Sequence, residues 1–66
     1  MVGEELKRYR MNAFITQKRL GELCGLSSKS AERTVQKWEK GEIPVPLRHL
    51  RVIHNAIGIP YEKLIP

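Results

Sequence analysis

The stretch Thr16–Gly41, TQKRLGELCGLSSKSAERTVQKWEKG, decides the fold of this 66-residue chain. Thr16 is a favourable N-cap, and the helix that follows it places Leu20 and Leu23 on one face. Gly25 can end that helix, because glycine readily adopts the left-handed conformation found after many helix C-termini. The first part of the stretch therefore predicts a short helix closed by a glycine corner.

A second helix follows the corner, with Leu26 at the turn and Ser27 or Ser28 as its N-cap. Its apolar residues recur at positions i, i+4 and i+7, a spacing that predicts one buried face. The buried face comprises Ala31, Val35 and Trp38, and the outer face carries Ser28, Lys29, Glu32, Arg33, Gln36 and Lys37. A short helix, a tight corner and a polar, basic second helix are typical of a helix-turn-helix.

Three short motifs occur in order within the stretch: Thr16-Gln17, Gly25-Leu26-Ser27 and Trp38-Glu39-Lys40-Gly41. The flanking positions that fit the same pattern are Leu6-Lys7-Arg8-Tyr9-Arg10 and Ile15 before them, and Pro46, Leu50, Ile53, Ala56, Ile57, Ile59 and Leu64 after them. With these residues the chain resembles the lambda repressor-like family of DNA-binding domains, also called the Cro/C1 or XRE type. The resemblance implies one all-α domain over residues 1–66, with five helices and the helix-turn-helix in helices two and three.

The chain departs from the family pattern in two places. Gly25 and Trp38 are 13 positions apart, about one helical turn more than is usual in the family. Because a whole-turn insertion keeps every side chain on its original face, we expect a third helix that is one turn longer, from Ser28 to Lys40. The alternative is a longer, irregular corner. The second departure is His54, where the family usually has alanine.

Apolar periodicity and the prolines and glycines predict the remaining helices and the core. The predicted helices are Glu4 to Asn12, Gln17 to Cys24, Pro46 or Leu47 to Gly58, and Tyr61 to Ile65, besides the third helix. Core positions expected outside the third helix are Leu6, Tyr9, Phe14, Ile15, Leu20, Leu23, Cys24, Leu47, Leu50, Ile53 and Ile57, with Ile43 anchoring the loop before helix four.

Composition and charge narrow the class of function. A net charge of +5 and a pI near 9.8 favour a polyanionic partner, although charge alone does not choose between DNA, RNA and acidic lipid. The sequence contains no signal-peptide pattern and no apolar run long enough to span a membrane, so we expect a cytoplasmic protein. The single cysteine excludes an internal disulfide.

No constellation of catalytic or metal-binding residues is apparent in the sequence. His49 and His54 are five positions apart, so on a helix they would point to different faces. We expect His49 at the surface or facing a phosphate, and His54 partly buried. With one cysteine and no aspartate, no metal site or activated nucleophile is predicted, so neither enzyme activity nor a cofactor is expected.

The third helix is expected to lie in the major groove of double-stranded DNA, with side chains near its N-terminus at the base edges. Arg33 suits a guanine edge, Glu32 a cytosine amino group and Gln36 an adenine. The full set of predicted base contacts is Ser28, Lys29, Glu32, Arg33 and Gln36, and the predicted phosphate contacts are Gln17, Lys18, Lys37, Lys40 and Arg48. Phosphate contacts fix register without reading sequence.

The resemblance also implies a structural pair and a dimer. In the family, an arginine at the position of Arg10 pairs with the glutamate that follows the tryptophan, here Glu39. Family members often pair through their last helix, where this chain offers Tyr61, Leu64 and Ile65. A homodimer, formed in solution or only on DNA, would require a near-palindromic operator.

Three functional hypotheses remain open at this point. The first is a sequence-specific transcriptional regulator, of the type found as repressors in phages and mobile elements. The second is a protein-interaction module, antitoxin-like or adaptor, on the same fold. The third is the DNA-binding fragment of a larger regulator. A polar, basic third helix favours DNA over a protein partner, for which an apolar patch would be expected.

Overall fold

The computed structural model describes residues 2–65, which form five α-helices, one 3₁₀ turn and no strand. The elements are α1 (Val2–Asn12), α2 (Gln17–Leu23), α3 (Ser28–Lys40), the 3₁₀ turn (Leu47–His49), α4 (Leu50–Ile57) and α5 (Tyr61–Leu64). The predicted all-α class and the number of helices are confirmed. The bounds of α3 match the prediction, and the ends of the other helices lie within two residues of it, except that α4 begins three residues after Leu47.

The helix α3 is continuous from Ser28 to Lys40, the bounds predicted for it. Its 13 residues end at Lys40, and the next residue, Gly41, has a φ of 76° and donates its N–H to the Trp38 carbonyl over 3.1 Å. Only residues 24–27 separate α2 from α3, so the alternative of a long irregular corner is wrong. At the start of α2, the Thr16 hydroxyl accepts a hydrogen bond from the Arg19 N–H over 3.0 Å, as expected of an N-cap.

Two glycines that the sequence patterns did not single out allow close approach of α3 to other helices. A Cβ atom at Gly21 would lie 2.6 Å from the Ala31 Cβ and 2.7 Å from the Ala31 Cα, so α2 and α3 cross in contact. A Cβ at Gly3 would overlap the Glu39 carbonyl, which places the first turn of α1 against the last turn of α3. Small residues at these points hold α3 against both neighbours.

All five helices contribute side chains to the core. Its buried members are Leu6, Leu20, Val35, Trp38, Leu50, Ile53, Ile57, Ile59 and Leu64. Partly buried side chains that pack around it include Tyr9, Ile15, Cys24, Leu26 and Val45. Because the core covers one side of α3, the opposite side of that helix faces solvent.

The start of the fourth helical region differs from the prediction. Residues Leu47–His49 form a 3₁₀ turn, in which the chain rotates about 120° per residue rather than 100°. Leu47 consequently points outward and is 81% exposed, so its assignment to the core was wrong. His49 is instead buried, with its ring centroid 5.6 Å from that of Trp38, and the prediction of a surface His49 was also wrong.

Three other apolar predictions need correction. Phe14 is 95% exposed with a φ of 58°, and the corner between α1 and α2 packs on the core through Ala13 and Ile15 instead. Leu23 lies at the end of α2 and is 38% exposed, because the face centred on Leu20 meets the core. Ile43 is 39% exposed; the core contact of that loop comes from Val45.

Candidate nucleic-acid interface

The outer face of α3 is a polar surface that follows from the burial of its inner face. Ala31 and Val35 are fully buried and Trp38 is 2% exposed, so the positions between them point away from the core. All five predicted base-contact residues are exposed there: Ser28, Lys29, Glu32, Arg33 and Gln36. The structure therefore brings this predicted set together on one face of one helix.

Four of these five side chains have no polar partner among residues 2–65. Among residues 2–65, Lys29, Glu32, Arg33 and Gln36 take part in no side-chain hydrogen bond and no ion pair. Their donors and acceptors are consequently free for an external ligand. The types present, two cations, a carboxylate and an amide, are those that hydrogen-bond to base edges in the major groove.

Ser28 differs from its neighbours because its hydroxyl has a partner. Its Oγ donates a hydrogen bond to Oε2 of Glu22 over 3.1 Å, across the corner between α2 and α3. The other carboxylate oxygen of Glu22 lies 4.0 Å from Nη1 of Arg19. Sequence reasoning missed Glu22, because its spacing of six from Ser28 crosses the corner and matches no helical repeat.

The predicted phosphate contacts come from three elements. Lys18 in α2, Lys40 in the last turn of α3 and Arg48 in the 3₁₀ turn are exposed, and Lys37 is half-buried. Gln17 is also half-buried, and its amide nitrogen donates to Oε1 of Glu39 over 3.0 Å. That amide keeps one further N–H for an outside acceptor, since an amide nitrogen carries two.

Glu39 is the acceptor at the centre of a small buried network. Arg10 donates to it twice, from Nε over 2.5 Å to Oε2 and from Nη2 over 3.2 Å to Oε1. The remaining terminal nitrogen of Arg10, Nη1, donates to the Ile15 carbonyl over 2.9 Å. The side chains of Arg10 and Glu39 are only 11% and 4% exposed. The structure thus brings this predicted pair together, and the network joins α1, the start of α2 and the end of α3.

Two titratable side chains near the core have shifted pKa values. Burial, with a smaller contribution from the Arg48 cation, lowers the pKa of the His49 imidazole. Burial raises the pKa of the Cys24 thiol, which disfavours the reactive thiolate. Within residues 2–65 no three His, Cys, Asp or Glu side chains lie close enough together to hold a metal ion.

The predicted dimer residues at the C-terminal end have different environments. Tyr61 is 42% exposed and stacks on His54 with ring centroids 4.2 Å apart, and Ile65 is 53% exposed. Leu64 is 3% exposed because α5 packs it into the core, so its assignment to a dimer surface was wrong. His54 is partly buried as predicted, and its Nδ1 lies 2.7 Å from the Ile59 carbonyl oxygen.

Comparisons with other proteins leave the family open. The chain matches no family model, no curated protein and no solved structure. The resemblance to the lambda repressor-like family therefore stays a prediction based on the motifs. None of the helices in residues 2–65 is both long enough and apolar enough to cross a membrane.

Proposed function

We propose that this protein is a sequence-specific regulator of transcription that binds double-stranded DNA through a lambda repressor-like helix-turn-helix formed by α2 and α3. In this proposal α3 enters the major groove, and a homodimer represses transcription from a near-palindromic operator, as in phages and mobile elements. The protein acts in the cytoplasm, without cofactor or catalytic step.

One observation carries the proposal: the outer face of α3 displays polar side chains that have no partner among residues 2–65. Charged side chains left free on successive turns of a helix suit an external polar ligand. Lys29 and Arg33 supply donors, Glu32 an acceptor and Gln36 both. This mixture favours base edges, which present donors and acceptors, over a purely anionic surface.

The cations around α3 support the same partner. Lys18 lies on α2, which packs against α3, and Lys40 lies in the last turn of α3. Arg48 lies on the 3₁₀ turn, whose His49 ring packs near Trp38 of α3. Such cations suit phosphates on either side of a groove, and the net charge of +5 favours the approach of DNA.

The alternative, a protein-interaction module on the same fold, has less support. The most exposed apolar side chains of residues 2–65, Phe14 and Leu47, lie outside α3. Protein interfaces are centred on apolar and aromatic residues, which are absent from the outer face of α3.

The proposal is tested by incubating the purified protein with a randomised duplex library at near-physiological salt and sequencing the retained DNA. A two-fold related motif is expected. Arg33→Ala should weaken the binding free energy by roughly 1–3 kcal/mol and remove the base preference at one position of the motif. Arg51→Ala is the matched control, because Arg51 is an exposed arginine on α4 and its loss changes the net charge equally.

The three unfavourable outcomes of this experiment have different meanings. Retention without any enriched sequence would indicate phosphate-driven binding, which weakens steeply as salt is raised. No retention at all would reject DNA binding and support the protein-interaction module. An equal effect of Arg33→Ala and Arg51→Ala would reject base contact by Arg33.

A further inference from the structure

The hydrogen bond between Ser28 and Glu22 fixes what the Ser28 hydroxyl can offer to a ligand. A serine hydroxyl has one donor hydrogen and two acceptor lone pairs, and it normally rotates to suit its partner. Here the hydrogen is directed at Oε2 of Glu22, 3.1 Å away. Because the only donor is engaged within the protein, the exposed side of Oγ presents lone pairs alone.

An acceptor at this position distinguishes between bases. In the major groove, adenine and cytosine each expose an amino group that donates, at N6 and N4 respectively. Thymine O4 and guanine O6 and N7 are acceptors, so they would face the lone pairs of Oγ without a hydrogen between them. A freely rotating serine hydroxyl would accept a hydrogen bond from adenine or cytosine and donate one to thymine or guanine. Ser28, with its hydrogen held by Glu22, fits only the amino-bearing bases.

Glu22 is suited to act through Ser28 rather than by touching DNA. Its side chain is 30% exposed, with one oxygen bonded to Ser28 and the other 4.0 Å from Arg19. A glutamate carboxylate accepts hydrogen bonds and has no hydrogen of its own to donate. The direction of the Ser28 bond is therefore fixed by chemistry as well as by distance.

We propose that Glu22 is a positioning residue for specificity, which makes Ser28 an acceptor that selects adenine or cytosine at one position of the DNA site. This inference rests on the proposed function, since Ser28 must reach a base edge from the first turn of α3. Glu22 would then set base preference at a position that it does not contact.

The test compares motifs selected from a randomised duplex by the wild type and by Glu22→Ala, Glu22→Gln, Ser28→Ala and Glu22→Ala/Ser28→Ala. We expect the wild type to prefer adenine or cytosine at one position by about tenfold, within the range of a good base contact. In Glu22→Ala the Ser28 hydroxyl can rotate, and the preference at that position should fall to within about twofold while other positions keep theirs.

Two variants separate hydrogen-bond geometry from charge. Glu22→Gln keeps an acceptor oxygen and should retain most of the preference. Glu42→Ala removes one exposed carboxylate after α3 without touching Ser28, so it should leave the motif unchanged.

Ser28→Ala should remove the base preference at the same position as Glu22→Ala. The double variant should change nothing further, because both substitutions act through one hydroxyl. Circular dichroism checks that each variant is folded.

The outcomes distinguish this inference from the proposed function. If the wild type enriches a motif and Glu22→Ala leaves every position unchanged, the role of Glu22 is rejected and DNA recognition stands. A loss of preference in Glu22→Ala at a position that Ser28→Ala does not affect would also reject it. If the wild type enriches no sequence, sequence-specific recognition itself is rejected and this inference with it.

Discussion

Arg10 and Glu39 are 29 positions apart in the sequence, and their side chains form two hydrogen bonds that join α1 to the last turn of α3. Gln17 donates to the same carboxylate, so the start of α2 is tied to the same point. One carboxylate at the end of α3 therefore links that helix to both α1 and the start of α2. A buried, hydrogen-bonded charge of this kind is costly to leave without its partner.

Replacement of Glu39 by alanine should destabilise the domain by roughly 3–5 kcal/mol, because it leaves the Arg10 guanidinium buried without its counter-charge. A domain of this size has a total stability of only about 3–10 kcal/mol, so the variant should be partly unfolded at room temperature. Urea denaturation followed by circular dichroism measures the loss. The double variant Arg10→Met/Glu39→Leu is the control, and it should recover part of the stability because no buried charge remains. A loss below about 1 kcal/mol in Glu39→Ala would contradict the role of the pair.

His49 should make the domain sensitive to acid. Because burial lowers its pKa in the folded state, the unfolded chain takes up a proton more readily as the pH falls below the ordinary histidine value of about 6.5. Stability should thus be fully present above that pH and decline below it, until the folded state is protonated too. Thermal unfolding between pH 7.5 and 5 measures this dependence. His49→Gln should reduce it, and His54→Gln should keep it; equal slopes in the wild type and His49→Gln would refute the prediction.

A methyl group at Gly21 should force α2 and α3 apart. We expect Gly21→Ala to lower the free energy of unfolding by roughly 1–3 kcal/mol, because the new Cβ would overlap backbone atoms of Ala31. It should also weaken DNA binding. Gly25→Ala is the comparison, since its φ is 88° but no atom lies within 4 Å of the added Cβ. Gly25→Ala should lower the free energy of unfolding by about 1 kcal/mol, from the strained backbone conformation alone. Chemical denaturation compares the two, and a stable Gly21→Ala variant would exclude the close helix contact.

Phe14 should be replaceable with a gain in stability. The residue has a left-handed backbone and a side chain that is 95% exposed, so glycine would relieve strain and remove almost no packing. We expect Phe14→Gly to raise stability by about 1 kcal/mol, while Phe14→Ala keeps the strained backbone and gains nothing. Thermal melts measure both variants. A destabilised Phe14→Gly would mean that the ring makes contacts in solution.

The C-terminal end of the domain provides a test of dimer formation. Ile65 is half-exposed, so Ile65→Glu should leave the fold intact and weaken binding to a two-fold site by placing charge in the proposed interface. Binding to an isolated half-site should not change, and it serves as the internal control. Mobility-shift titrations with both duplexes measure the difference. Unchanged affinity for the full site would exclude this interface.

The bounds of α3 could be predicted from the sequence because several local signals agree. Ser27 or Ser28 favours a helix start, Gly41 favours a stop, and the apolar residues keep one face over the whole interval. The exposure of the predicted base-contact side chains follows from that periodicity. Whether they contact DNA depends on the partner, and neither the sequence pattern nor the fold determines the partner.

Other features depend on contacts between elements and could not be predicted from local patterns. Leu47 was placed in the core by an α-helical repeat that does not apply to the 3₁₀ turn in which it lies. Gly21 gave no periodic signal, because its role is to leave space for Ala31 on another helix. The bond between Glu22 and Ser28 also crosses a corner whose geometry the sequence does not specify.

The two attachments of α3 restrict how its length can change. Ala31 contacts Gly21 near one end, and Glu39 binds Arg10 near the other. Each added residue rotates the far end of a helix by about 100°, so one or two insertions between these attachments would turn the carboxylate away from its arginine. Three or four insertions come close to a full rotation and restore the pairing. The reach of this helix can therefore evolve in steps of about 5.4 Å, and intermediate lengths would be removed as unstable before their binding could be selected.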